Sequence, residues 1–398
     1  MSGLQQLRER IHTSHKRFRL AVVQACVNQC PAREHAVVAG SPDDEGNSVE
    51  VVRRLARRMP VYWLVGDDPD SLTWLISDAD GRARVRAVRR TTIRAYLAYF
   101  TARYVFFTHG LYGSVHPPAH KTFVNLWHGD GPKVRKGFAT ARSTFVVSGT
   151  QLWGRQRARS FGVGERGLLV TGNPRVDQFA RPASDAGLRQ LGIDPAKPLV
   201  LWLPTYRTTQ YRLNRLDAVR NWSDAHVLSA STEVIGTLDE AAQEAAALGV
   251  TLAVKPHHLD ADKYAVSGLH LVTGEGLREA RIGLYQLLGR ADGLITDYSS
   301  VWTDFLALDR PIGFYCPDFK EYVAGRSLNI DDYPALLPGP MLANGSDFAD
   351  FLRSCVQEPP SGRVARNATI RTIGACTDCG ATERLLDALR IPAQTSAQ

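Results

Sequence analysis

The sequence predicts an α/β protein made of two doubly wound, Rossmann-like domains that face a central cleft. Three observations support this fold class. Short apolar runs alternate with amphipathic segments, the runs form two series on either side of a proline-containing polar segment, and polar motifs follow several runs directly. Repeated alternation of strand and helix indicates parallel sheets with helices on both faces.

The two series of apolar runs predict the strands of the two sheets. The runs are rich in Val, Phe, Trp and Leu, as buried strands are. The first series comprises residues 36–39, 61–65, 105–108, 123–127, 145–147 and 168–171, and the second comprises 199–203, 250–254, 269–272, 293–296 and 312–315. Amphipathic segments predict helices over residues 48–59, 82–102, 231–247, 284–289 and 301–308.

The polar segment 179–198 carries three prolines and predicts the domain boundary. We therefore expect an N-terminal domain over residues 1–180, a C-terminal domain over 181–391 and a frayed tail over 392–398. Ligands of doubly wound sheets bind beyond the carboxyl ends of the strands, so a cleft between the domains is the expected position of a site.

The composition excludes several classes of protein. A hydrophobic fraction of 44% and a charged fraction of 22% exclude a mainly disordered chain, a collagen-like chain and a small disulfide scaffold. There is no apolar stretch of about 18 residues, so we expect no membrane-spanning helix. Residues 1–19 lack the apolar segment of a secretory signal, which favours the cytosol.

The charge pattern leaves two interpretations of one segment. The net charge is +8, and residues 82–103 carry seven arginines without an acidic residue. This segment is either a solvated helix face or a surface for anionic phosphates or an anionic membrane. We expect no nucleic-acid partner, because no helix-turn-helix, RNP or zinc-finger pattern is found.

The six cysteines indicate no metal site. Cys26 with Cys30 and Cys376 with Cys379 form two closely spaced pairs, but these lie at opposite ends of the chain. A zinc site needs four ligands, commonly from two such pairs. We therefore expect buried or free thiols.

Five polar motifs follow predicted strands, and this clustering is the main functional signal. They are His-Gly-Asp-Gly at 128–131, Gly-Asn-Pro-Arg at 172–175, Pro-Thr-Tyr-Arg at 204–207, Lys-Pro-His-His at 255–258 and Asp-Tyr-Ser-Ser at 297–300. The carboxyl ends of parallel strands are where α/β proteins build their active sites.

The last motif indicates an anion site. Ser299 and Ser300 precede a predicted helix, so their hydroxyls and the free N–H groups of the first turn could bind phosphate. Ser300 could equally cap the helix, and the two roles are compatible. Thr296, Asp297 and Asp304 lie close by in the sequence and strengthen the prediction.

The first motif contains a candidate general base. His128 follows a predicted strand and lies close to two glycines, Gly129 and Gly131, which allow close approach of a ligand. Its unperturbed pKa near 6.5 suits proton transfer, although a hydrogen-bonded loop histidine is the alternative. The basic residues at 133, 135 and 136 favour phosphate chemistry.

The remaining motifs add cationic groups. Arg175, Arg207 and Lys255 each follow a different predicted strand, and together they could hold a diphosphate. The alternative is surface charge paired with residues such as Asp177. His257 and His258 are adjacent, so in extended backbone only one of them faces the cleft. No HxH or HExxH spacing supports a metal site.

These motifs resemble the CDP-glycerol glycerophosphotransferase family, the teichoic acid primases and polymerases. The resemblance covers residues 125–385 and keeps the order of the motifs. It is carried by Leu-Trp-His-Gly at 126–129, Gly-Asn-Pro-Arg-Val-Asp at 172–177, Leu-Pro-Thr-Tyr-Arg at 203–207, Ile-Thr-Asp-Tyr-Ser-Ser-Val-Trp-Thr-Asp-Phe at 295–305, Asp-Arg-Pro-Ile at 309–312 and Leu-Pro-Gly-Pro at 337–340.

The resemblance implies a glycosyltransferase-B-like fold and an enzyme that transfers an alditol phosphate, glycerol phosphate first of all, from a CDP-activated donor. The acceptor would be a hydroxyl of a lipid-linked wall or capsule polymer, and CMP would be released. The implied partners are CDP-glycerol or CDP-ribitol, the lipid-linked acceptor and an anionic membrane. The implied location is peripheral, at the cytoplasmic face of the membrane.

The resemblance also implies roles for single residues. His128 would be the base, His257 a second essential histidine, and Arg207 a ligand of the pyrophosphate. The rest of the implied donor site comprises Thr296, Asp297, Ser299, Ser300, Lys255, Gly129, Asn173, Arg175 and Asp304. We expect no required cofactor and no metal site, with a divalent metal at most stimulatory.

The sequence departs from the family pattern in two places, and several alternatives stay open. Asp130 and Gly131 precede Pro132, where the family has Thr-Pro, and no proline follows His257, which leaves His257 and His258 ambiguous. The competing functions are a glycosyltransferase with a nucleotide sugar donor and an inactive relative that binds the polymer. Glycerol or ribitol, and primase or processive polymerase, are not distinguished.

Overall fold

The computed structural model describes residues 3–66, 68–132, 141–205, 232–256, 268–326 and 328–393. The chain forms two compact units. The first unit comprises residues 1–129, 135–177 and 380–398, and the second comprises 130–134 and 178–379.

The first unit is built on a parallel sheet in which the structure describes seven strands. They are β1 (Arg33–Ala39), β2 (Val61–Val65), β3 (Val85–Arg89), β4 (Ala102–Phe107), β5 (Thr122–Asn125), β6 (Phe145–Ser148) and β7 (Leu168–Val170). Their order across the sheet is β3-β2-β1-β4-β5-β6-β7. The strand order reverses between β1 and β4, which makes the carboxyl ends of these strands a topological switch point.

Helices cover both faces of this sheet. The first four are α1 (Gly3–Gln29), α2 (Gly46–Leu55), α3 (Ile93–Thr101) and α4 (Gln151–Ser160). One face packs Val27 of α1, Tyr99 of α3 and Ala158 of α4 in a common apolar core. The other face packs Val52 and Leu55 of α2. Since both faces are covered, a strand such as β2 is apolar along its whole length, whereas the edge strand β3 carries exposed arginines.

The second unit contains a smaller parallel sheet. Its described strands are β8 (Leu199–Trp202), β9 (Thr251–Val254), β10 (His270–Leu271), β11 (Gly293–Thr296) and β12 (Ile312–Phe314), in the order β10-β9-β8-β11-β12. Here the switch point lies between β8 and β11. The described helices are α5 (Asp185–Gln190), α6 (Thr232–Ala247), α7 (Gly274–Glu279), α8 (Leu284–Leu288), α9 (Val301–Phe305), α10 (Phe319–Arg326), α11 (Tyr333–Leu336), α12 (Gly345–Val356) and α13 (Pro360–Ile373).

The last helix, α14 (Ala381–Ala388), returns to the first unit. Leu385 and Leu386 join the core on the α2 face of the first sheet. The carboxylate of Asp177 accepts the backbone N–H groups of Gly380, Ala381 and Thr382 at 2.7, 2.8 and 3.0 Å, which satisfies the start of the helix. The structure thus differs from the predicted domain over 181–391, because the apolar face of α14 is buried in the first unit.

The parallel sheets confirm the predicted α/β fold class, and the predicted strands 61–65 and 293–296 have the observed bounds. The helix predicted over residues 82–102 is wrong in its first half. That half forms a short 3-10 turn (Arg82–Arg84) and then β3, the edge strand of the sheet. Helix α3 starts only after Thr92, whose hydroxyl accepts the N–H of Ala95 and caps it.

Candidate functional site

The loop that follows β5 carries His128 in an unusual backbone conformation. Trp127, before it, has φ of 56°, and Gly129, after it, has φ of 137°. The first value is uncommon for a residue with a side chain, and the second falls in a region that favours glycine. The N–H of Trp127 donates to Oδ1 of Asn125 at 3.0 Å, which starts the turn. The fold therefore holds His128 in a strained and defined turn.

Three consecutive carbonyl oxygens of this loop each accept a hydrogen bond from a different side chain. Nδ2 of Asn47 donates to Trp127 O at 3.2 Å, Nη1 of Arg175 to His128 O at 2.8 Å, and Nη2 of Arg157 to Gly129 O at 2.5 Å. The donors come from α2, from the 3-10 turn after β7, and from α4. We call these three side chains the carbonyl clamp.

The carbonyl clamp is itself held in place. Oδ1 of Asn47 accepts the N–H of Arg175 at 3.0 Å, and Arg175 forms an ion pair with the buried Glu45 at 3.6 Å. Nη1 of Arg157 also donates to Val147 O at 2.5 Å. The sequence predicted Arg175 as a phosphate ligand, but in this structure its guanidinium bonds the backbone of the His128 loop. Asn47 and Arg157 were missed, since nothing in their sequence context distinguishes them.

A second histidine lies against His128. The ring of His109, which follows β4, stacks on the ring of His128 with a centroid distance of 4.4 Å and an interplanar angle of 2°. The indole of Trp127 contacts His128 with a centroid distance of 4.1 Å and a tilt of 36°. His109 was not predicted, although it directly follows an apolar strand as the five motifs do.

In the second unit, a single buried carboxylate organises the switch point. Asp297, after β11, accepts the N–H of Thr205 at 2.8 Å and the hydroxyl of Thr205 at 2.5 Å, which joins it to the chain after β8. It also accepts the N–H of Ser299 at 3.2 Å. Its own carbonyl accepts the hydroxyl of the buried Tyr333 at 3.0 Å, and burial raises the pKa of Tyr333.

Ser299 and Ser300 are half-buried, which leaves part of each side chain accessible. The hydroxyl of Ser300 does not cap α9, whereas Oγ of Ser299 accepts the N–H of Val301 at 3.4 Å. The residues after Gly129 pack here. Thr303 Oγ1 contacts Asp130 O at 3.3 Å, and a Cβ on Gly131 would lie 3.2 Å from the Cβ of Ser300. A side chain at 131 would require Ser300 to shift by a few tenths of an ångström.

Of the other predicted donor ligands, Thr296, Asp304 and Asn173 are buried. The hydroxyl of Thr296 donates to Leu203 O at 2.8 Å, and Asp304 accepts the hydroxyl of Tyr285 at 2.6 Å. Asn173 is buried, and its carbonyl accepts the N–H of Val176. Lys255 is half-buried and follows β9. For Thr296, Asp297 and Asp304 this placement favours a positioning role over contact with a donor.

Arg207, His257 and His258 lie outside the residues that the structure describes, so their predicted roles stay predictions. Within the described ranges, no group of three His, Cys, Asp or Glu side chains is arranged to hold a metal ion.

The two units define a doubly wound α/β protein with polar groups at the switch points of its sheets, where proteins of this class bind their ligands. The match to a family model narrows this class. Residues 43–390 match the model described as CDP-glycerol:poly(glycerophosphate) glycerophosphotransferase. The chain belongs to that family.

Curated relatives agree with this assignment. The chain is 29% identical over 182 residues to a teichoic acid glycerol-phosphate primase of Bacillus subtilis, which covers 46% of this chain and 41% of the relative. It is 26% identical over 231 residues to a teichoic acid glycerol-phosphate transferase of Staphylococcus aureus, with 57% and 55% covered. A ribitol-phosphate primase of Bacillus spizizenii matches at 45% over 58 residues, 15% of each chain. The matches thus span about half or less of the relatives' lengths.

Solved structures agree on the fold. The wall teichoic acid polymerase TagF superimposes with a TM-score of 0.70 at 18% identity, covering 98% of both chains. A putative UDP-N-acetylglucosamine 2-epimerase from Listeria monocytogenes gives 0.54 at 12% identity, covering 90% of this chain and 96% of the other. Proteins with different reactions share this architecture, so the predicted glycosyltransferase-B-like fold is confirmed but does not choose the substrate.

Proposed function

We propose that this protein transfers glycerol phosphate, or a related alditol phosphate, from a CDP-activated donor to a hydroxyl of a lipid-linked polymer acceptor, with release of CMP. The observation that carries the proposal is the clamped His128 loop in a chain whose family match spans residues 43–390. Two further findings support it. The matched relatives are teichoic acid primases and transferases, and one solved TagF variant was soaked with CDPG.

The chemistry requires one proton acceptor and several donors to phosphate. The acceptor oxygen forms a bond to the β-phosphorus of the donor, and the bond from that phosphorus to the bridging oxygen breaks. The acceptor proton passes to His128, and the electron pair of the broken bond leaves with CMP. A general base of this kind contributes about 10²- to 10⁴-fold.

We assign the phosphate contacts to the second unit. Ser299 and Ser300 offer hydroxyls on a half-buried surface, and Asp297 fixes the N–H of Ser299. Preorganised donors of this kind stabilise the charge that develops on the transferring phosphoryl group. The predicted contribution of Arg207 to the pyrophosphate and of His257 as a second essential histidine is part of the same proposal.

Release of CMP from CDP-glycerol and CDP-ribitol, measured with a lipid-linked acceptor mimic, tests the proposal. UDP- and GDP-sugars are the matched controls. Acceptor-dependent CMP release from either CDP-alditol is the expected result, and the preferred donor identifies the alditol. Turnover of a nucleotide sugar without CMP release would move the protein to the glycosyltransferase function. Binding of the acceptor without turnover of any donor would identify an inactive relative.

The length of the product distinguishes the two modes of transfer. A primase adds one unit and leaves a single product, whereas a processive polymerase yields a ladder of product lengths at low conversion.

Chelation tests the cofactor prediction in the same assay. We expect CMP release to continue in excess chelator, because hydrogen-bond donors supply the positive charge, and complete loss of turnover that a divalent ion restores would overturn it.

We further propose that the first unit associates with anionic membranes through α1 and α3. These helices share one apolar core, yet Phe18 is 72% exposed, Ile93 79% and Leu97 59%. Arg89 and Arg94 are exposed beside them. Exposed apolar groups beside arginines are typical of surfaces that lie in a membrane interface. None of the described helices is long and apolar enough to cross a bilayer.

Not every arginine of the basic segment belongs to this surface. Arg90 forms an ion pair with the buried Asp43 and donates to Gly40 O at 2.5 Å, so its charge is paired within the fold.

Charge reversal of Arg89 and Arg94 should weaken sedimentation of the protein with anionic vesicles and leave its sedimentation with neutral vesicles unchanged. Charge reversal of Arg166, an exposed arginine after α4, is the matched control. Equal vesicle binding by both variants would remove this surface from the proposal.

A further inference from the structure

The stacked pair of His109 and His128 has a function that the proposed transfer reaction does not by itself require. We propose that His109 is a positioning residue for His128, which fixes the plane of the His128 ring and restricts the pair to one positive charge. The proposal rests on the proposed function in one respect, the role of His128 as a base.

The first argument is geometric. An interplanar angle of 2° at a centroid distance of 4.4 Å means that the rings lie face to face. Trp127 contacts the His128 ring at a tilt, and the carbonyl clamp fixes the backbone beneath it. The carbonyl clamp acts on the backbone of His128 and not on its side chain. The flat face of His109 restrains the side-chain torsions.

The second argument concerns the anchoring of His109. Its Nδ1 lies 3.0 Å from Oγ1 of the buried Thr108, and that oxygen accepts the N–H of Ser41 at 3.0 Å. A hydroxyl can donate its proton and can also accept a second bond, so this contact forms with either tautomer of His109. The contact therefore anchors one edge of the His109 ring beside His128.

The third argument concerns charge. Two imidazolium rings at this separation repel each other, so protonation of one disfavours protonation of the other. The neighbouring elements supply both signs of charge. They are Asp43 with Arg90, Glu45 with Arg175, Arg157 on Gly129 O, and Asp130, which follows two residues after His128. These charges stay the same when only His109 is changed.

The test combines a titration with kinetics. In protein labelled at histidine, NMR should show His128 titrating in two steps, because its proton competes with that of His109. In His109→Phe, which keeps a flat uncharged ring, His128 should titrate in a single step shifted upward by up to about one pH unit. His116→Phe, at an exposed histidine between the two in the sequence, is the control and should leave the curve unchanged.

Kinetic measurements distinguish the effect of His109 on the orientation of the His128 ring from its effect on the charge of that ring. His109→Ala should lower kcat about tenfold with little change in the KM of the donor, and His109→Phe should recover most of that loss while the acidic limb of the pH profile moves upward. His109 is exposed, so both variants should keep the melting temperature of the parent. Identical His128 titrations in parent and His109→Phe would overturn the charge argument. Equal loss in the Ala and Phe variants would overturn the positioning argument.

The titration needs no substrate, so it separates this inference from the proposed function. If the titration curve of His128 changes in His109→Phe but the protein releases no CMP, the coupling of the two histidines is supported and the transferase function is rejected. If the protein releases CMP but the curve is unchanged, the transferase function is supported and the coupling is rejected.

Discussion

The loop after β5 in the first unit and the loop after β11 in the second are both held by side-chain hydrogen bonds, but the groups that hold them have opposite charges. Both follow a strand of a parallel sheet and present a polar side chain. In the first, cationic and amide donors reach from three elements to three backbone carbonyls. In the second, one carboxylate, Asp297, gathers backbone N–H and hydroxyl donors.

The difference matters for the chemistry that each loop can perform. In the proposed reaction, the first loop contributes the imidazole of His128 as the proton acceptor. The second loop contributes the hydroxyls of the half-buried Ser299 and Ser300 as donors to phosphate. Under this proposal one loop acts as a base and the other binds an anion, so substitutions in each should have different consequences.

The largest expected effect is that of His128→Ala. Loss of the proton acceptor should lower kcat by about 10²- to 10⁴-fold with an unchanged melting temperature, because His128 is only half-buried. CMP release under saturating donor measures it. His116→Ala, at an exposed histidine, is the control. Activity within a few fold of the parent would show that His128 is a hydrogen-bonded loop histidine and not the general base. The comparison of the two loops would then lack a functional difference.

Asp297→Asn should affect both folding and donor binding. The amide keeps the shape but replaces a charged acceptor of three donors, so we expect a loss of about 2–3 kcal/mol in the free energy of unfolding. The KM of the donor should rise more than kcat falls, because a single amide oxygen then serves the three donors of Thr205 and Ser299 and holds this loop less firmly. Denaturant titration and steady-state kinetics measure the two effects. Asp331→Asn, at an exposed carboxylate, should change neither.

Arg175→Met tests whether the carbonyl clamp acts through position. Methionine preserves most of the apolar packing but removes the hydrogen bond to His128 O and the ion pair with Glu45. We expect kcat to fall about tenfold and stability to fall by about 1–3 kcal/mol. A rise in donor KM with unchanged kcat would instead support the predicted phosphate contact of Arg175. Arg166→Met is the matched control, since Arg166 is exposed.

The smallest effect on chemistry is expected for Asp177→Ala. This change removes the carboxylate that accepts three N–H groups at the start of α14, so stability should fall by about 1–2 kcal/mol. The kcat of the folded protein should be unchanged, because Asp177 contacts neither loop in the described structure. A large fall in kcat at full folding would mean that the Gly-Asn-Pro-Arg-Val-Asp motif contributes to chemistry through its last residue.

The sequence predicts some of the structural features behind these outcomes and not others. Apolar runs bounded by polar turns, such as Val61–Val65 and Gly293–Thr296, are readable because a strand covered on both faces must be apolar throughout. Edge strand β3 was mistaken for helix because alternating Arg and Val residues within a basic run also fit a solvated helix. Position at an edge is set by pairing between distant segments, which the local pattern does not encode.

The candidate site shows the same limit. Motifs placed at strand ends predicted His128, Ser299 and Ser300, because the chemistry and the topology agree there. Asn47 and Arg157 could not be predicted, since a side chain that bonds a carbonyl far away in sequence leaves no local pattern. His109 had a readable signal, a histidine directly after an apolar strand, but only the ring geometry distinguishes it from any other loop histidine.

The return of α14 has a consequence for the order in which the protein folds. The first sheet leaves the ribosome early, yet part of its core, Leu385 and Leu386, emerges about 200 residues after Asp177. Until then, the face of the sheet that α2 covers lacks Leu385 and Leu386, and Asp177 lacks the three N–H groups that it binds. The first unit is thus begun first and completed last, and residues 178–379 of the second unit are synthesised within that interval.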